Sequence, residues 1–213
     1  MKKKVVSLVA IGMLALSGCS IGQSTEKQLS ETLNKMNVSE TEYRDTQSKL
    51  TELEIAEQKT FTETMELTKE DVDKLRSKIG ELEALLDERL ALIDKEEAAM
   101  KEAGEFVKEL DTIAEKASDT SSDQILKLKE VAEKRYNLHS AFIEEYKKLA
   151  DIQKEFYGML SAEDVELDDL KQKVEEVNAQ NAIVQTAIRE FNEATKKVNS
   201  LKEDVFSSLE QEE

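Results

Sequence analysis

Apolar residues recur along most of the chain at alternating spacings of three and four, which mark a seam along one side of an α-helix. The longest seam reads Val72, Leu75, Ile79, Leu82, Leu86, Arg89, Ile93, Glu96, Met100, Ala103, Val107, Leu110, Ala114 and Ala117. A second row, one residue earlier (Leu85, Leu92, Ala99, Phe106, Ile113), widens this seam into a face that needs more than one neighbour. A third segment repeats the pattern from Ile125 to Leu160 with Arg135, His139 and Gln153 among its polar members, and a fourth from Leu167 to Leu209 with Asn181, Thr195 and Lys202. The first segment is weaker: Leu29, Met36, Tyr43, Leu50 and Leu53 keep a seven-residue beat that dissolves into Thr60, Thr62 and Thr64.

Helix starts need a side-chain acceptor for backbone N–H groups that have no partner in the first turn. Thr25 with Gln28 and Ser121 with Gln124 fit the capping box, and Thr68 with Asp71 and Ser161 with Asp164 are shorter-armed versions. Four starts predict an all-α fold, with helices about 25–66, 69–117, 121–160 and 165–210 in a single domain over 25–213. Short connectors make successive helices antiparallel neighbours, so the expected architecture is an elongated up-down-up-down bundle or coiled coil, on the order of 60 to 70 Å long. The last start is crowded with Glu163, Asp164, Glu166, Asp168 and Asp169. Without glycine or the Asp-rich spacing of a calcium loop, these acids read as complements to the helix dipole.

Composition agrees with long helices: proline is absent, charged residues make up 36% and aromatics 5%. The first residues depart from this pattern. Lys2, Lys3 and Lys4 precede an apolar run from Val5 to Leu16 that ends in Leu16-Ser17-Gly18-Cys19. The run is too short for a permanent span, which needs roughly 20 residues, and reads as an export signal over 1–18, cut between Gly18 and Cys19. Leu-Ser-Gly-Cys is similar to the lipobox of bacterial lipoproteins, in which the cysteine thiol receives a diacylglyceryl group. Cys19 is thereby the expected lipid attachment, residues 19–24 a tether, and the extracytoplasmic membrane face the location. Cys19 is the only cysteine, so no intramolecular disulfide can form. Removing the signal's three lysines takes the formal charge from −17 to −20. Such a body lacks the basic stripe that nucleic acid requires, and an anionic leaflet repels it.

No catalytic constellation, metal site or cofactor site is legible. His139 is the only histidine, and there is no phosphate-binding glycine loop. The polar seam residues are more informative. Folding the helices about their expected turns brings Glu96, His139 and Asn181 near one level, a candidate buried polar layer whose simplest use is to fix helix register. A ligand-binding or hydrolytic site built on this layer is the alternative, and an open pocket near it would favour that alternative over a plain rod.

The lipobox, the run Glu88-Arg89-Leu90-Ala91-Leu92-Ile93-Asp94-Lys95-Glu96-Glu97, and the stretch from Arg135-Tyr136 through Tyr146-Lys147 to Phe156-Tyr157 and Met159-Leu160 together resemble the YkyA-type lipoproteins of Firmicutes. That resemblance implies an exported lipoprotein associated with the cell envelope, and it supplies no catalytic residues. With no constellation in the chain to support hydrolysis, the favoured reading is a non-enzymatic acidic helical rod for cell-wall or envelope-protein contacts.

Overall fold

The computed structural model describes residues 24–211 apart from Lys69 and Glu163. It is all-α: α1 (Thr25–Ser39), α2 (Thr41–Met65), α3 (Val72–Glu105), α4 (Glu109–Ala114), α5 (Asp119–Ser161) and α6 (Leu167–Glu210), with a 3₁₀ turn at Phe106–Lys108 joining α3 to α4. Two of the four expected helices are therefore broken. The break at Glu40 has a local cause: Thr41 Oγ1 donates to the Val38 carbonyl at 2.7 Å and Arg44 to the Asn37 carbonyl at 2.9 Å, so side chains satisfy groups released by the helix ladder.

The caps lie elsewhere than expected in three cases. Ser24 and Ser118, not Thr25 and Ser121, accept the first-turn N–H groups of α1 and α5. Ser161 closes α5, its hydroxyl donating to the Gly158 carbonyl, and α6 starts later at Leu167 with Asp168 and Asp169 in its first turn. Thr68 and Asp71 do bond one another, through Thr68 N–H and Oγ1 to the carboxylate, just ahead of α3. The threonines that end the first segment's beat do not mark a frayed end, because Thr60 and Thr64 are buried against the bundle.

Paired side chains give the alignment. Lys78–Glu63, Arg89–Glu57 and Lys35–Glu109 step in opposite directions along the first two segments. Lys154–Asp87 and Lys129–Asp111 do the same between α3–α4 and α5, as do Lys173–Glu155 and Arg135–Thr195 between α5 and α6. At 43 and 44 residues, α5 and α6 are each about 65 Å long and together set the length of the rod.

The core changes along that length. At the end holding the N-terminus of α1, Leu29, Leu33 and Met36 pack with Val107, Leu110, Leu128, Phe191 and Val205, so all parts of the bundle share one core. Beyond Glu40 the ring opens: α2 packs on α3 and α6 on α5, while α2 and α6 make no close backbone approach to each other among the described residues.

Candidate functional site

The separation of α2 from α6 leaves a groove of about 530 Å³, floored by α3 and α5. Leu50, Ile93, Phe142, Leu149, Val177 and Val184 give it an apolar base, over which Gln47, Gln58, Gln153, Asn178, Asn181 and Gln185 present amides. Its carboxylates are Glu54, Glu57 and Glu96, and its cation is Arg89.

Three polar layers cross the bundle at or beside this groove. In the first, Glu40 at the α1–α2 break takes a bidentate pair from Arg135, at 2.6 and 3.1 Å, and the Tyr136 hydroxyl at 2.6 Å. Arg135 Nε also donates to Thr195 Oγ1 at 2.9 Å. Burial, with the Glu40 charge adding, pushes the Tyr136 hydroxyl well above its ordinary pKa. Gly104 permits this arrangement, since a Cβ there would lie 3.3 Å from the Tyr136 ring.

The second layer contains two of the three sequence-predicted polar residues. Glu96 and His139 are each 1% exposed, and His139 Nε2 lies 2.8 Å from Glu96 Oε1. Gln47 Nε2 donates to the other Glu96 oxygen at 2.7 Å. Tyr43, Phe142 and Phe191 surround the imidazole with ring centroids 5.7, 6.0 and 5.2 Å away. Asn181 does not belong here: it is exposed and lines the mouth of the groove. The residue of α6 that meets His139 is Phe191, ten positions further on, or about 15 Å along the helix. The α5–α6 turn sets this offset, because α6 begins only at Leu167 and pairs Thr195 with Arg135.

The third layer is the most highly charged. Arg89 bonds Glu57 through Nη1, both side chains being 5% exposed, and donates through Nε to the Tyr146 hydroxyl at 2.8 Å. Tyr157 donates to the second Glu57 oxygen, and Tyr146 to Glu54 at 3.1 Å. Burial opposes the charge of Arg89, but Tyr146 and Glu57 beside it outweigh that and hold its pKa above the ordinary value. Burial likewise raises the hydroxyls of Tyr146 and Tyr157.

Sequence reading singled out Arg89 and Arg135 as seam interruptions but not their partners. The missed signal lies in the first segment, where Leu33, Met36, Glu40, Tyr43, Gln47, Leu50, Glu54, Glu57 and Phe61 form the same three-four seam with acids or amides at four of its nine positions. Gly18 and Cys19 lie outside the described residues. No cluster of three or more potential metal ligands occurs among the described residues, including the acids at the start of α6.

Residues 24–208 match the model of a family named YkyA and described as "Putative cell-wall binding lipoprotein". The chain is 32% identical over 204 residues to the uncharacterized lipoprotein YkyA of Bacillus subtilis (strain 168), covering 92% of this chain and 87% of that protein. Its fold is similar to the 1.6 Å crystal structure of a conserved protein of unknown function from Staphylococcus aureus, with a TM-score of 0.77 at 23% identity over 84% of this chain and 91% of that one.

Proposed function

Because this chain belongs to the YkyA family of lipoproteins, we propose that it is a non-enzymatic envelope protein, held by a lipid on Cys19 at the extracytoplasmic membrane face, whose α2–α6 groove binds a cell-wall component. The observation that carries this reading is the groove itself: a bundle with a closed core throughout would offer only its outer surface. The opening favours ligand binding over a plain structural rod. Binding rather than hydrolysis fits the carboxylates, since Glu57 is neutralised by Arg89 and Glu96 is held by Gln47 and His139.

Tether and groove have a consistent polarity. The chain enters the bundle at Thr25, and the groove begins near Gln47, 22 residues further along, so it lies roughly 33 Å or more up the rod from the anchored end. A formal charge of −20 after signal removal drives the rod away from an anionic leaflet. The closed end therefore stands next to the membrane and the open end faces the inner wall.

Cosedimentation with purified wall sacculi tests the binding function. The wild-type protein is expected to sediment with them, and Asn181→Trp, which fills the groove mouth from an exposed position, is expected to stay in solution with its helicity unchanged. Failure of the wild type to bind, or equal binding by the variant, overturns the proposal.

A further inference from the structure

The groups left unsatisfied in the groove define its occupant more closely. Asn178, Asn181 and Gln185 lie on one stripe of α6, at spacings of three and four, and Gln58 lines the same groove from α2. Their side-chain amides make no hydrogen bond among the described residues. Gln153, on the floor, has a buried carbonyl Oε1 without a partner. A carboxamide offers two donors and an acceptor, so these residues present both kinds of group along both sides of the groove.

A peptide backbone, which alternates N–H and C=O, matches such rails; a sugar ring instead seeks an exposed aromatic face. The rings of Phe142, Tyr146, Phe156 and Tyr157 are all buried, and Phe61, half-buried at one end of the lining, tilts against Phe156 with centroids 5.9 Å apart, so no ring presents a fully open face. They are also engaged, Phe142 with Tyr146 and Phe156 with Tyr157 at centroid distances of 5.8 and 6.1 Å, and both tyrosine hydroxyls bond to carboxylates. The lining from Gln47 to Phe61 is about 21 Å long, room for about six extended residues. Three carboxylates against one guanidinium leave the lining with an excess of negative charge, and Glu54 is the exposed member of the set. A cation entering the groove meets it first.

We infer that the groove binds a short extended peptide bearing a free primary amine, with the backbone held by the amides of α2 and α6 and the amine seated at Glu54. This rests on the binding function proposed above and selects the peptide, rather than the glycan, as the part of the wall that is recognised.

Calorimetric titration of the full acylated chain in detergent micelles tests the assignment with three probes: a synthetic lysine-containing tetrapeptide blocked at its N-terminus, the same blocked peptide acetylated also on its side-chain amine, and an N-acetylglucosamine tetramer. The free-amine peptide is expected to bind, acetylation to weaken it about tenfold or more, or ~1.4 kcal/mol, and the sugar not to bind. Glu54→Gln should abolish the preference for the free amine, and Asn181→Leu with Gln185→Leu should weaken both peptides alike. All three positions are exposed, so the fold should survive. Binding of the sugar in place of the peptide, or equal binding of the two peptides, overturns the inference. Sacculus binding without peptide binding also overturns it while leaving the proposed function intact; peptide binding without sacculus binding overturns the function and supports the assignment of the groove.

Discussion

Replacing Arg89 by Met keeps much of its length and apolar stem but strands the Glu57 carboxylate in the third layer. Glu57 is then left with the Tyr157 hydroxyl as its hydrogen-bond donor, at a site where its side chain is 5% exposed. Removing one member of a buried ion pair costs about 3 to 5 kcal/mol, and the neighbouring groove, which can admit water, sets the expectation near the lower figure. For a domain of this size each kcal/mol moves the melting temperature by roughly 2 to 4 °C, so a drop of about 6 to 12 °C is expected. The double variant Arg89→Met with Glu57→Leu removes both charges and should recover most of the loss. Its residual cost is the unpartnered Tyr157 hydroxyl, about 1 kcal/mol at the low end for a buried donor. Urea unfolding followed by far-ultraviolet circular dichroism, run as a double-mutant cycle, measures both quantities. A single variant that loses less than about 1 kcal/mol, or a double variant that is as unstable as the two single changes added together, refutes the view of a buried, mutually dependent pair.

All four tyrosines have hydroxyl pKa values raised from 10.0, by burial first. Their contribution to stability is complete below that value and is lost as pH rises past it, so phenolate absorbance and loss of helicity should appear together in one alkaline transition; ordinary titration near pH 10 with helicity intact would contradict this. Asp71 is held at about 2 by hydrogen bonds from Lys74 and Thr68, against an ordinary 3.8. The order it gives the start of α3 should persist through pH 4 and fade only as pH falls toward 2, and an NMR titration of its carboxyl with a midpoint near 4 would contradict the pairing. Changing Cys19 to Ala should leave the precursor unlipidated and uncut by the lipoprotein peptidase, so normal processing and membrane retention in cell fractionation would refute the lipid anchor.

Much of the fold is legible because a three-four seam directly reports which face of a helix is buried. Ile79, Leu82, Leu86 and Ile93, each assigned to a seam, are at most 4% exposed. The break at Glu40 was not legible, because it is made by a small number of competing hydrogen bonds rather than by proline or glycine. Thr41 and Arg44 end α1 from ordinary helical positions, and nothing in their spacing distinguishes them from residues that stay on an unbroken surface. The first segment was the hardest to read for a related reason: its seam is half polar, and Glu40, Gln47 and Glu54 look like a solvated face until their partners Arg135, Glu96 and Tyr146 are in place.

The groove was hidden by the same logic. Periodicity states that Val174, Val177, Val184 and Ile188 lie along one side of α6, but not how many neighbours that side meets. In a closed four-helix ring all four would be covered; here Val184 is 4% exposed where α5 packs on it and Val174 is 40% exposed where α2 does not reach. Asn181 shows how the distinction matters: between Val177 and Val184 it reads as a buried polar residue fixing register, whereas beside a missing neighbour it becomes a group with free hydrogen-bonding capacity on the wall of a groove. Seam position establishes where a side chain points, and only the distance between the flanking helices decides whether it ends in a core or a binding site.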